Sequence, residues 1–154
     1  MKERGFTRND VGNIEMQKAI LIAQLDADEA ARQALTNDEG RMLLSDRSAI
    51  DPIVYAFLTS KSWERKSQKL IKCKRFQKAL EQLRKSVFVL FCPVPEWMED
   101  DGVRSIDESH RTINAFRKIL RRLEIPYHEI DASCKPLEDR INRIEEFMRN
   151  WNKI

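Results

Sequence analysis

Six apolar residues in unbroken succession, Val87-Phe88-Val89-Leu90-Phe91-Cys92, stop at Pro93. The run is β-branched and aromatic, so it reads as a strand. No polar residue alternates within it. A strand without a polar face has to be covered on both sides, which favours a sheet sandwiched between helices, usually parallel, over a half-solvated antiparallel one.

The rest of the chain supplies elements to match. Asn9 or Asp10 caps a helix reaching about Leu35, and Asn37-Asp38-Glu39-Gly40 makes a turn. The apolar run Met42-Leu43-Leu44 follows, ended by Ser45-Asp46-Arg47, and predicts a strand near 41–46. A helix then begins near Ser48 and includes Ile50, Val54, Tyr55 and Leu58, with Pro52 in its first turn where a missing N–H costs little. Residues 106–123 read as a helix with Ile106, Ile113, Phe116, Ile119, Leu120 and Leu123 in one stripe. Tyr127 to Ile130 makes a short strand after Pro126, within a block at 127–131. The last helix has Pro136 in its first turn and a stripe of Leu137, Ile141, Ile144, Phe147 or Met148, and Trp151. This order predicts an α/β fold, a parallel sheet flanked by helices with strands near 41–46, 87–92 and 127–131.

With 154 residues, no repeat, no low-complexity tract and no Gly/Ser-rich linker, residues 1–154 are expected to form a single domain. No apolar run reaches the roughly 18 residues that cross a bilayer, and Met-Lys-Glu-Arg at the start is followed by no signal-peptide stretch, so a cytoplasmic or nuclear protein is expected. Cys73, Cys92 and Cys134 are an odd, widely separated set and read as reduced thiols.

The formal net charge is only +3, yet its distribution is uneven. Between Lys61 and Lys85 stand ten Lys or Arg against Glu64 and Glu81, a local +8 that leaves −5 for the remainder. Trp63, Leu70, Cys73, Phe76, Leu80 and Leu83 give this segment a helical apolar stripe. Its basic side is a solvated helix face, a phosphate-contacting surface, or a surface for a membrane or an acidic partner.

Ligands of an open parallel sheet collect beyond the carboxyl ends of its strands, which singles out the loops 45–51, 92–105 and 131–136. Asp46 and Arg47 directly follow a hydrophobic run, as in phosphoryl-transfer folds that hold Mg²⁺ and phosphate oxygens; they also suit a cap or a salt bridge. Asp51 stands one helical turn beyond Arg47, where it serves either the site or the helix start. Arg104, after Asp100-Asp101-Gly102, is either a lid arginine neutralising a transferred phosphate or a surface partner of those aspartates. Gln17 and Gln24 share a helical face with Ile14 and Leu21, a place where amides border a cleft or a core edge. His110 and His128 have no ligands at metal spacing, and GxSxG, HExxH and GxGxxG are absent.

Together, Arg4-Gly5-Phe6, the amide helix from Glu15 through Gln24, the block Leu44-Ser45-Asp46-Arg47-Ser48-Ala49-Ile50-Asp51 with Tyr55, and Asp101-Gly102-Val103-Arg104 resemble the NadR-like AAA-type P-loop NTPase domain, related to ribosylnicotinamide and other nucleoside or nucleotide kinases. The resemblance implies ATP and Mg²⁺ as cofactors and a small hydroxyl or phosphate acceptor. It implies that Asp46 ends a Walker-B-like strand and serves Mg²⁺ or a substrate hydroxyl, with Arg47 as a phosphate contact and Arg104 as the lid arginine. Asp51 and Tyr55, with Gln17 and Gln24, would shape the acceptor side, and the stretch from Ser133 to Arg140 would border the nucleotide base.

One departure stands against these matches. Gly5, Gly12, Gly40 and Gly102 are the only glycines, and they make no GxxxxGK[ST] loop. That loop supplies most of the triphosphate affinity in such folds through backbone N–H groups, a lysine and a Mg²⁺-binding hydroxyl. The expectation is therefore an N-terminally truncated domain, its later two-thirds, inactive by itself, with a partner chain as one way to supply the missing strand. The alternative is a noncatalytic module binding nucleic acid or acidic partners through the basic segment 61–85.

Overall fold

The apolar run at 87 finds a partner forty residues downstream. In the computed structural model, which describes residues 10–35, 42–59, 63–98 and 106–151, Phe88–Phe91 forms β1 and Tyr127–Ile130 forms β2. They pair in parallel, with Phe88 opposite Tyr127 and Phe91 opposite Ile130. The Cys92 N–H extends the ladder to the Ile130 carbonyl at 2.9 Å.

Before β1 come four helices: α1 (Ile14–Leu35), α2 (Asp51–Leu58), α3 (Trp63–Ile71) and α4 (Lys74–Arg84). A 3-10 turn at Pro95–Trp97 follows β1; α5 (Ile106–Arg122) links the strands and α6 (Leu137–Trp151) closes the described chain. The chain divides into two compact units, Met1–Glu81 and Gln82–Ile154.

The first unit is helical. α2 is apolar nearly throughout, and it packs against α1 and α3 with Ile53 and Val54 fully buried. Met16, Leu21 and Leu25 of α1 and Leu70 of α3 add to the buried set. Asn13 starts α1 by accepting the Glu15 N–H at 2.9 Å, so the helix begins a few residues later than Asn9 or Asp10 implied. The basic segment is two helices rather than one. Lys72 and Cys73 interrupt it with a tight turn, Cys73 N–H to Leu70 carbonyl at 3.0 Å, and the Gln77 amide caps the Ile71 carbonyl at 2.7 Å.

The expected strand at 41–46 is not formed in its described part. Residues 42–45 have no regular structure, and Leu44 is 90% exposed. Three apolar residues are a short run, and the Ser45 hydroxyl donates to the Arg47 carbonyl, a local bond at the end of the stretch that competes with strand pairing.

The second unit is β1-α5-β2-α6. Of the expected α5 stripe, Ile113, Ile119, Leu120 and Leu123 are buried and Phe116 is half-buried, while Ala115, outside that stripe, is buried as well; the Ile106 side chain lies outside the described residues. It ends in a Schellman motif: Ile125 N–H reaches the Leu120 carbonyl at 3.0 Å and Glu124 N–H the Arg121 carbonyl at 3.1 Å, with Glu124 at φ 55°. The sheet is only partly covered. Phe88, Val89 and Leu90 are half-buried and Phe91 is exposed, so the coverage on both faces expected of this all-apolar strand is incomplete. The expected α6 stripe is likewise open at its start, with Leu137 71% exposed, whereas its end rests on β2. There Phe147 stacks on His128 at 4.1 Å, and Trp151 meets the same imidazole edge-on.

Candidate functional site

Within the first unit the side chains gather where α2 begins. Ser48 and Asp51 form a reciprocal cap. The Asp51 carboxylate accepts the Ser48 N–H at 3.0 Å, and the Ser48 hydroxyl accepts the Ile50 N–H at 3.2 Å. The first turn contains Pro52, whose absent N–H removes one donor that would otherwise need a partner.

This cap also fixes a cation. Arg47 Nη1 lies 3.1 Å from the other Asp51 carboxylate oxygen, and about half of the Arg47 side chain remains in solvent. The Asp51 hydrogen bond, reinforced by the Asp51 charge and by Tyr55, raises the guanidinium above its ordinary range despite partial burial. From α1, the Gln24 amide donates to the Arg47 carbonyl at 3.3 Å and to Asp28 at 3.0 Å. Four of the residues singled out by the sequence, Gln24, Arg47, Asp51 and Tyr55, thus meet at one helix start, with Asp46 exposed beside them.

Gln17 is turned elsewhere. It is 2% exposed and donates to the Val11 carbonyl at 2.7 Å, while its Oε1 is buried with no hydrogen-bond partner among the described residues. Its amide fastens the entry to α1. Arg104 lies outside the described residues.

Ser133 and Arg140 stand in the second unit, past the carboxyl end of β2. The Ser133 N–H donates to Asp131 at 2.7 Å, and that bond holds the Asp131 carboxyl below its usual range. Arg140 Nε donates to the Cys134 carbonyl at 2.6 Å, tying the loop to the first turn of α6. Its guanidinium carbon lies 4.5 Å from the Trp97 ring centre and 5.5 Å from that of Phe91. Nη2 is buried without a hydrogen-bond acceptor, and the aromatic faces supply electron density in place of one. Sequence reasoning missed Phe91 and Trp97. Their signal was position, since one ends an apolar strand and the other follows it in the loop where ligands of parallel sheets collect.

A second unanticipated group lies along β2. Arg117 of α5 grips Glu129 with two bonds, 2.9 Å and 2.6 Å, and Cys92 Sγ lies 3.6 Å from both side chains. The Arg117 bonds hold the Glu129 carboxyl below its usual range, whereas burial and the Glu129 charge push the Cys92 thiol up, away from reactivity. An acid inside a four-residue strand was the clue to this pair.

Among the described residues no three metal-ligating side chains converge. A lone exposed carboxylate such as Asp46 fits a Mg²⁺ ion carried mostly by substrate phosphates and water, the usual way this cation is held in nucleotide sites. No described helix is long and apolar enough to cross a membrane.

Comparison with known proteins adds a family. A family model described as an AAA domain matches residues 1–140. No curated protein and no solved structure matches the chain.

Proposed function

The chain belongs to the AAA-domain family, whose members are P-loop nucleotide-binding folds, and from that premise we propose that it is a NadR-like, kinase-type member built to pass a phosphoryl group from ATP to a small hydroxyl or phosphate acceptor. The observation that supports this reading is the convergence of Gln24, Arg47, Asp51 and Tyr55 at the start of α2. It gives a half-exposed guanidinium, locked in orientation by a capping carboxylate, beside an amide and a phenol suited to an acceptor.

In this reading residues 1–154 act as one domain. Asp46 serves the Mg²⁺ that neutralises the phosphates when bound. Arg47 contacts phosphate oxygens and stays charged throughout, since Asp51 stabilises its cationic form. Arg104 has the role of neutralising the transferred phosphate. Asp51 orients Arg47 rather than touching substrate, and Gln17 acts through the α1 entry it fastens. Ser133 and Arg140 border the nucleotide base, with the Trp97 ring as the neighbouring flat surface.

The 154 residues contain no GxxxxGK[ST] loop, so this chain by itself holds triphosphate weakly and turns over little. Calorimetry with Mg-ATP is expected to give a dissociation constant above about 1 mM, equivalent to about −4 kcal/mol. Submillimolar affinity would overturn the claim that the loop is essential. An amide NMR titration with Mg²⁺ and a nucleoside monophosphate addresses the acceptor side. Shifts are expected at Gln24, Arg47 and Tyr55; a titration that leaves all three unmoved removes the kinase reading.

A further inference from the structure

The structure gives several cations of the basic segment a fixed task. Lys66 Nζ donates to the Gly12 carbonyl at 2.7 Å, and Arg75 pairs with Asp26 and Glu29 of α1. Arg65, Lys69, Lys72, Lys74 and Lys78 are different. All five are exposed, and among the described residues none of them forms an ion pair.

Their spacing is ordered. Arg65 and Lys69 follow one another at four residues along one side of α3, and Lys72, in the turn just past its end, continues the spacing at three, in steps of about 4.5 to 6 Å. Lys74 and Lys78 repeat the four-residue step on α4, beginning two residues beyond Lys72. Burial on the other side shows which way these stripes face, because Ser67, Leu70, Phe76 and Leu80 are buried. Glu64 flanks the first stripe and Glu81 follows the second, leaving both predominantly positive.

We propose that this face binds the phosphate backbone of duplex nucleic acid without reading its sequence. Three features select that partner. The polyanion must present charge densely, and a duplex carries one phosphate per about 1.7 Å of axis, enough to occupy every cation of the stripes. Leu70, Phe76, Leu80 and Leu83 of the two helices are buried in the core, so these side chains offer no wedge to enter a bilayer. Among the described side chains of α3 and α4 the one aromatic, Phe76, is fully buried and offers no platform for stacking the bases of a single strand.

Fluorescence anisotropy of the full chain with a labelled 25-base-pair duplex, followed across a potassium chloride series, tests the proposal. Five phosphate contacts predict a log–log salt slope of about −4.5, or about 500-fold weaker binding at 200 mM than at 50 mM salt. Scrambling the duplex sequence should change affinity by less than about twofold. The variant K69E/K72E/K74E should bind at least about tenfold more weakly with an unchanged melting temperature, and neutral K69Q/K72Q/K74Q should fall between it and the parent. A parent slope shallower than about −2 overturns the proposal whatever the variants do. So does a correctly melting charge-reversal variant that still binds as the parent does. Tighter binding to phosphatidylserine vesicles or to a polyglutamate peptide than to the duplex, at equal salt, overturns it in favour of those surfaces.

Discussion

The two halves of this chain treat a short apolar run in opposite ways. In Gln82–Ile154 the run at 87–92 becomes β1 because Tyr127–Ile130 returns alongside it and satisfies its backbone. In Met1–Glu81 the run Met42-Leu43-Leu44 pairs with no strand among the described residues, and Leu44 is almost wholly in solvent. The lesson is that an apolar stretch encodes a strand only conditionally. Its N–H and C=O groups need a neighbour, and the neighbour is specified elsewhere in the sequence.

Burial differs in the same sense. In the helical half the exposed large apolar side chains, Met42 and Leu44, lie outside its helices, whereas in the β1-α5-β2-α6 half Phe91, Leu137 and Ile141 are exposed within regular elements.

The largest expected effect sets the two cores against each other. Ile53→Ala in α2, at a fully buried position, should cost about 3 kcal/mol, and Val89→Ala in half-buried β1 about 1 kcal/mol. Urea denaturation read from the midpoint shift checks both; equal losses would erase the contrast. Next is the start of α2. Asp51→Ala removes the acceptor of the Ser48 N–H and the anchor of Arg47, for a loss of about 1 kcal/mol and greater mobility of the Arg47 side chain by NMR relaxation. An unchanged midpoint would mean that the cap is idle.

In the second half, Arg117 and Glu129 should contribute about 1 kcal/mol, a value suited to a two-pronged pair that is about a third exposed. The Glu129 pKa is lowered on folding, so the native state binds its proton less readily than the unfolded chain does. The contribution is therefore complete above the ordinary glutamate value of about 4.3 and disappears as pH falls through the depressed one. Glu129→Gln should be less stable than the parent at pH 7 and should converge with it in strong acid. Parallel pH–stability curves would contradict that assignment. The smallest effect is expected at Leu44, where Leu44→Ser should move stability by less than about 0.5 kcal/mol. A loss above 1 kcal/mol would show that the segment is covered in solution and would dissolve the contrast drawn between the two runs.

Legibility followed the same division. The α2 start, the strand at 127–130 and the α5 stripe could be read because each rests on local rules: proline in a first turn, β-branched or aromatic runs, and the 3.6-residue period. The basic segment read as one helix but breaks at Lys72–Cys73, since a period cannot reveal a turn whose carbonyl is capped by a glutamine six residues on. Of the α6 stripe, Ile144, Phe147, Met148 and Trp151 are half-buried, whereas Leu137 and Ile141 are exposed. At the candidate site, Arg47, Asp51 and Tyr55 were visible through their helical spacing. The approach of Gln24 from α1 and the stacking of Arg140 between Phe91 and Trp97 were not, because each depends on how separate elements pack.

By itself the sequence determined the type of most elements, the surplus of positive charge between 61 and 85, and the lack of a glycine-rich phosphate loop within these 154 residues. Each of these is set by residues close together in the chain. Tertiary structure alone decided which apolar run became a strand, which basic residues were neutralised and which stayed free, and which polar side chains met at the start of α2. Pairing, desolvation and charge neutralisation are properties of neighbours in space, and those neighbours are tens of residues apart in the chain.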